Sequence, residues 1–512
     1  MTSLNDTPKA TRREWIGLAV IALPCLVYAM DLTVLNLALP AISAALKPSS
    51  SQLLWIVDIY GFLVAGFLIT MGTLGDRIGR RKLLLIGAAA FAVASVVGAL
   101  SSSAPMLIAM RALLGIAGAT LAPSTMSLIR NMFRDERERQ FAIGVWIASF
   151  SVGGAIGPLV GGVLLQFFWW GSVFLVAVPV MVLLLVLGPM LLPEYRDPNA
   201  GRLDLASVAL SLVAVLTTVY GLKQIAEHGF AWGTTALVVV GLAVGAVFVR
   251  RQGRLTYPLL DLALFRQPRF SAAIAAYGLS CLAMFGVYIF IAQYLQLVLG
   301  LSPLHAGIAT VPWALAFVVG SLLASRVARR LPPVTILVWG LVAAAVGFGL
   351  LTLADGRHGL AALLVGTVVM SLGLAPVFTI GNEMIITAAP PERAGAASAL
   401  SETASEFSGA LGIAVFGSIG TALYRHTLAA SMPDGLPADA ATAAMATIGG
   451  AVAAAQALPG PAGDALLVAS RAAFVDALQL SATIGAATML AASVLSARIL
   501  RSPGQSGRLV IH

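Results

Sequence analysis

Residues Gly72–Arg81 read GTLGDRIGRR and lie between two apolar runs, Leu53–Thr70 and Leu83–Leu100. Each run is long enough to cross a bilayer as a helix. So much charge in a short connection has to sit in water, and Arg77, Arg80, Arg81 and Lys82 place it on the cytoplasmic side by the positive-inside rule. Gly72, Gly75 and Gly79 permit close backbone approach and a tight turn, and Asp76 can cap or pair with nearby helix ends and arginines.

Working outward, apolar runs recur along nearly all 512 residues, of which 59% are hydrophobic and only 10% charged. That composition excludes a soluble domain and predicts a polytopic, all-helical membrane protein. The polar, basic N-terminus precedes an apolar run too long for a signal-peptide core, so the first helix is expected to remain as an anchor. The net charge of +9 follows from arginines in loops, and no nucleic-acid partner is expected. Cys25 and Cys281 both fall within apolar runs and read as small core residues.

Spans are expected near 15–39, 53–73, 83–101, 105–128, 141–166, 170–193, 203–225, 233–250, 270–297, 304–325, 334–353, 359–384, 394–424 and 475–498. With fourteen spans and the N-terminus inside, only Lys47, Lys223, Arg357, Arg425 and Arg471 fall outside, and Arg111 is the one cation within a span. The rest of the 31 Lys and Arg residues fall on the cytoplasmic side, as does the C-terminus. Ala440–Leu458 is uncharged but only weakly apolar, and reads as part of an external loop over about 425–474 with some helical structure.

An internal repeat supports the count. SRVARR at Ser325–Arg330 echoes DRIGRR at Asp76–Arg81, 249 residues and eight spans later, with Ser325 in place of the aspartate. Two six-helix halves separated by two inserted helices give that spacing. The expected division is 1–193, then an inserted pair with linker over 194–269, then 270–512.

The Gly72–Arg81 stretch resembles the loop between helices 2 and 3 of the major facilitator superfamily. Asp31–Pro40 with Trp55–Tyr60 resembles the signature of its 14-helix drug:proton antiporter branch, and Arg111–Gly118 is similar to the motif that places an arginine in helix 4. Gly153–Gly162, reading GGAIGPLVGG, resembles the antiporter motif of helix 5. The resemblance implies the major facilitator fold in a bacterial cytoplasmic (inner) membrane. It also implies export of quaternary ammonium compounds, viologens and cationic dyes in exchange for protons, without a cofactor.

The residues carry a parallel reading of their own. Asp31, Asp58, Glu383, Glu402 and Glu406 lie within apolar runs, where a charge costs roughly 2.5–3.5 kcal/mol or more. A carboxyl group there can hold a proton or attract a cation, but hardly both, which is the simplest basis for antiport. Glu402 and Glu406 are one helical turn apart near the bilayer middle and should act as a coupled pair. Glu383 can alternatively pair with Arg393 or cap a helix end, and Asp58 can alternatively be interfacial. Arg111 can pair with Asp31 or another acid, or bind carbonyls; the superfamily resemblance favours a part in proton coupling.

In the fifth span, six glycines allow close helix packing, and Pro158 removes one backbone hydrogen bond, with Gly157 and Gly161 flanking it. Such a helix suits a pivot or a seal. Trp55, Tyr60, Phe285, Tyr288, Phe290, Tyr294, Trp313 and Phe378, with Met30 and Met284, form a group able to line an apolar cavity for flat cations. No metal-ligand cluster, nucleotide-binding loop or nucleophile constellation is present, so neither an enzyme nor a metal site is expected. The expected partners are small lipophilic cations, protons and membrane lipids, with the chain acting as a monomer. The rival reading keeps the fold and changes the cargo to a neutral lipid, siderophore or metabolite; anionic cargo would call for more buried Arg or Lys.

Overall fold

The computed structural model describes residues 9–196, 204–228, 231–255, 258, 262–328, 330–355, 359–388, 394–458 and 460–500. The described residues form helices and connections and no strand. Inside a bilayer every backbone N–H and C=O needs an internal partner, and these long apolar segments find theirs along the helix.

The membrane-spanning helices are α1 (Arg12–Leu46), α2 (Ser50–Ile78), α3 (Arg80–Ala99), α4 (Ala104–Met132), α5 (Glu136–Phe167), α6 (Ser172–Leu191) and α7 (Leu205–His228). They continue with α8 (Trp232–Gln252), α9 (Pro268–Val298), α10 (Pro303–Val327), α11 (Pro333–Leu351), α12 (Gly359–Ala388), α13 (Ala394–Ser431) and α14 (Pro461–Leu500). Among the described residues this gives fourteen spans when α5, which is bent, counts as one.

Local chemistry sets several of the ends. Thr11 with Glu14, and Ser49 with Gln52, form capping boxes that satisfy the first amides of α1 and α2. Helix α4 is interrupted at Ala119–Thr120, where Pro123 cannot donate to the carbonyl of Ala119. Helices α13 and α14 run past Arg425 and Arg471, where charge alone suggested a break; within α14 the Arg471 Nε donates to the Leu297 carbonyl at 2.9 Å. The connection between them therefore shrinks to 432–460 and is largely filled by two short helices, Ala438–Ala446 and Ile448–Ala457.

Helices α1–α6 and α9–α14 form two halves with the same internal packing. The pairs α1–α5, α2–α4, α3–α4 and α3–α6 recur eight helices later as α9–α13, α10–α12, α11–α12 and α11–α14. The halves meet through α2 against α13 and α5 against α10. They touch from mid-depth to the end remote from the Gly72–Arg81 loop, called here the far end; the opposite end, rich in arginine, is the basic end. At the far end a Cβ on Gly162 would lie 2.8 Å from the Pro303 carbonyl oxygen, and one on Gly307 would lie 2.5 Å from that of Pro158. Gln296 donates to the Leu37 carbonyl at 2.9 Å, and Ser50 to that of Ala446.

Helices α7 and α8 are the inserted pair. Helix α7 packs on α2 and α13, whereas α8 packs on α7 and turns Trp232, Val239, Leu242 and Val247 outward to where lipid would be. At the basic end Arg251 pairs with Asp204 at 3.0 Å and Gln252 donates to Ser207 at 2.8 Å, clamping the two together.

Candidate functional site

Charged side chains from α1, α2, α4, α7 and α13 converge between mid-depth and the far end. Arg111, 1% exposed, reaches from α4 to Asp31 of α1, with Nη1 2.5 Å from Oδ2. Its Nε donates to the Ile56 carbonyl at 3.1 Å, and the guanidinium lies 4.5 Å from the centroid of the Tyr60 ring. Planar guanidinium suits this combination of a carboxylate, a carbonyl and an aromatic face. Of the roles open to Arg111 from the sequence, it takes two together, pairing with Asp31 and binding a carbonyl.

Asp58 of α2 is buried rather than interfacial, and its partner corrects the charge map read from sequence. Lys223 does not lie in an outer connection; it is buried in α7, with Nζ 2.7 Å from Asp58 Oδ2 and 3.8 Å from the Trp55 ring centroid. Arg111 is therefore not the one cation within a span. Lys223 continues an inward-facing, partly buried stripe of α7 formed by Leu212, Val215, Leu216 and Val219, and this helical register is the signal that charge counting overlooked.

The second half contributes acids without cations. Glu406 of α13 accepts a 3.0 Å hydrogen bond from the Tyr28 hydroxyl of α1. Glu402, one turn earlier and half-buried, shares its face. Among the described residues neither glutamate forms an ion pair. Tyr28, which the sequence reading did not single out, sits three residues before Asp31 and ties α1 to α13. Glu383 lies exposed near the basic end of α12, and Arg393, the partner the sequence offers it, lies outside the described residues.

A cavity of about 40 Å³ sits among these groups, lined by Asp58 and Arg111 from the first half and Phe285, Ser405 and Glu406 from the second. One water occupies roughly 30 Å³ and drug-sized pockets roughly 300–1,000 Å³, so the cavity admits water but must widen to take an organic ligand. None of Trp55, Tyr60, Tyr288, Tyr294, Trp313 and Phe378 lines it in this conformation; Phe285 is its aromatic wall. Tyr288 packs on Trp313 at 4.6 Å, Phe378 on Tyr277 at 5.2 Å, and Tyr294 donates to the Asp355 carbonyl at the far end.

Two motifs surround this centre. In α5, Gly153, Gly157 and Gly161 face α1 at successive turns, where a Cβ would come within 2.1 Å of the Leu26 carbonyl oxygen, 2.1 Å of Thr33 Oγ1 and 2.6 Å of Val34 Cγ2. The segments Phe141–Gly154 and Ile156–Phe167 meet at 41°. Pro158 leaves the Gly154 carbonyl without its donor and crowds it, which accounts for the bend.

At the basic end Asp76 pairs with Arg80 at 2.5 Å, and Arg80 also donates to the Pro123 carbonyl of α4 at 3.3 Å. Arg77 is exposed, so Arg80 is the cation that meets Asp76. A Cβ on Gly72 would meet only Pro123, at an ordinary 3.7 Å, while Gly75 makes room for the Arg80 side chain. Gly79 has φ +113°, and a Cβ there would lie 2.5 Å from Glu194 Oε1. Glu194, unremarked in the sequence, accepts from the amides of Arg81 at 3.1 Å and Lys82 at 3.2 Å, capping α3 from across the half.

Residues 21–413 match the model of the Major Facilitator Superfamily. The chain is similar to the multidrug efflux pump LfrA of Mycolicibacterium smegmatis, 46% identical over 96% of this chain and 98% of that protein. It is also similar to the methyl viologen resistance protein SmvA of Salmonella typhimurium, at 35% identity over 90% of this chain and 93% of that one. Among solved structures, a bacterial homolog of the human lysosomal transporter Spinster, in an inward-facing and unoccupied conformation, superposes with a TM-score of 0.67 at 18% identity. That superposition covers 97% of this chain and 100% of the other, and shows a common fold.

Proposed function

The chain belongs to the Major Facilitator Superfamily, and on that premise we propose that it exports lipophilic mono- and divalent organic cations in exchange for protons. It is a membrane transporter of the drug-efflux type and not an enzyme. The cation specificity and the proton coupling are our reading. One observation carries them: the acids of the first half are neutralised, Asp31 by Arg111 and Asp58 by Lys223 of α7, while Glu402 and Glu406 have no basic partner among the described residues. The centre thus holds two carboxyl groups whose charge a proton or an organic cation can satisfy in turn.

By the positive-inside rule the basic end faces the cytoplasm of a bacterium, with both termini on that side. The contacts between halves at the far end then seal the outer face. Cargo enters from the cytoplasm or the inner leaflet, displaces protons from the glutamates, and leaves when the halves rock about α5 and its bend. Protons from outside then reoccupy the acids. The chain works as a monomer in this scheme, divided over 1–193, 194–269 and 270–512.

Everted vesicles test this. An acid-inside gradient should drive uptake of tetraphenylphosphonium and methyl viologen, and collapse of the gradient or the Glu402→Gln/Glu406→Gln pair should stop it. Gradient-driven transport of neutral amphiphiles, without movement of either cation, would replace the cation reading.

A further inference from the structure

We propose that Lys223 on the inserted helix α7 is a built-in counter-cation that sets which cation valence the central cavity accepts. The proposal rests on the cation-export reading above. Helix α7 offers α2 and α13 an apolar stripe, Leu212 over Gly66 and Val219 beside Phe62 and Ala414. One turn further on that stripe stands an ammonium group instead of another apolar side chain.

The side chains of Lys223 and Asp58 are both 0% exposed, with Nζ 2.7 Å from Oδ2. The contact is not aligned as a hydrogen bond, and Asp58 Oδ1 has no hydrogen-bond partner either. Charge, together with the Trp55 ring 3.8 Å from Nζ, therefore holds the lysine in place. A carboxylate on one side and an aromatic face on another are what a free organic ammonium would seek. Lys223 occupies that place as a tethered cation on a flexible stem.

Asp58 lines the cavity together with Arg111 and Glu406. The charged groups around it are Lys223 from α7, the Arg111–Asp31 pair from α4 and α1, and Glu406 from α13, with Glu402 one turn from Glu406 and outside the lining. With the lysine present, two acids remain uncompensated; without it, three do. A third negative charge favours a divalent cation over a monovalent one, and an unmatched lysine does the opposite. The inserted pair α7–α8 thus contributes a specificity element to the core.

The test is equilibrium binding of tetraphenylphosphonium and methyl viologen to purified full-length protein and to Lys223→Met, Asp58→Asn, Lys223→Arg and the Asp58→Asn/Lys223→Met pair. Lys223→Met should raise the viologen-to-phosphonium affinity ratio about tenfold, Asp58→Asn should lower it about tenfold, and the pair should return it close to wild type. Lys223→Arg should keep the wild-type ratio. A purely structural contact would not move the two single variants in opposite directions. Shifts of the same sign, or an unmoved ratio, overturn the proposal. Replacing a whole buried ion pair by neutral groups is often close to neutral for stability. If Lys223→Met alone does not fold, Asp58→Asn against the double variant still reads the lysine charge, and no difference between those two overturns the proposal. Binding of neither probe by the wild type would overturn the cation-export reading and this proposal with it.

Discussion

In the first half each acid at the centre is matched: Arg111 answers Asp31 and Lys223, lent by the inserted pair, answers Asp58. In the second half Glu402 and Glu406 share one face of α13, where Glu406 accepts from the Tyr28 hydroxyl and neither glutamate has a basic partner among the described residues. The halves are alike in packing and unlike in charge. A paired charge fixes a structure, because removing one partner strands the other in a low dielectric. An unpaired carboxyl group instead waits for a mobile positive species. On the proposed reading the first half is the scaffold of the site and the second its exchanger.

The largest effect should come from the exchanger. A carboxylate ~5 Å from a bound cation contributes about 3 kcal/mol at an effective dielectric of ~20. Glu402→Gln/Glu406→Gln should therefore weaken cation binding at least about 100-fold while leaving the melting temperature almost unchanged. Each single substitution should hurt divalent cargo more than monovalent. Matched binding and thermal-melt measurements check both, and a strongly lowered melting temperature would break the distinction between exchanger and scaffold.

The scaffold should fail in the opposite way. Arg111→Met leaves Asp31 buried and alone, at a cost of about 3–5 kcal/mol in stability. Asp31→Asn/Arg111→Met should recover most of that stability. A double-mutant cycle by thermal or chemical unfolding in detergent measures the coupling, and additive losses would remove the ion pair from the account.

A smaller effect is expected where the halves touch. A Cβ on Gly162 would meet the backbone of Pro303, which cannot swing aside as a side chain can. Gly162→Ala should cost the far-end-closed state about 1–3 kcal/mol. Distances between spin labels on the far-end tips of α5 and α10 should then shift toward longer values, without loss of folding. An unchanged distribution would mean that this contact does not hold the seal.

The smallest effect lies at the basic end. Asp76→Asn removes a partly exposed pair worth about 1 kcal/mol or less and should slow turnover more than it weakens binding. Arg77→Ala should be near wild type, since Arg80 holds Asp76. Efflux rates set against equilibrium affinities separate the two variants, and equal losses in both would favour a general electrostatic role for the loop.

How much of this was legible depended on whether the partners were close in sequence. The helix count, the repeat and the Asp76 loop are local patterns, and apolar length with arginine placement was enough to read them. The cost of burying Asp31, Asp58, Glu402 and Glu406 was equally plain, but cost does not name a partner. Arg111 stands 80 residues from Asp31, and Lys223 looked like a loop charge because it lies near the end of its span. Only the register of α7 turns Lys223 inward. The cap from Glu194 on α3 joins segments more than a hundred residues apart and left no local trace. The aromatic group was read by composition, and composition does not distinguish a ring packed on its neighbour from one facing a cavity.

The claim at the centre is that Glu402 and Glu406 exchange protons for organic cations while the paired acids do not. Calorimetric titration of tetraphenylphosphonium into purified protein, in two buffers of different ionisation enthalpy, reads the protons released as the cation binds. Proton release should accompany binding in the wild type, persist in the Asp58→Asn/Lys223→Met and Asp31→Asn/Arg111→Met proteins, and vanish with Glu402→Gln/Glu406→Gln. Undiminished release from the protein lacking both glutamates would contradict the account and place the exchange site elsewhere.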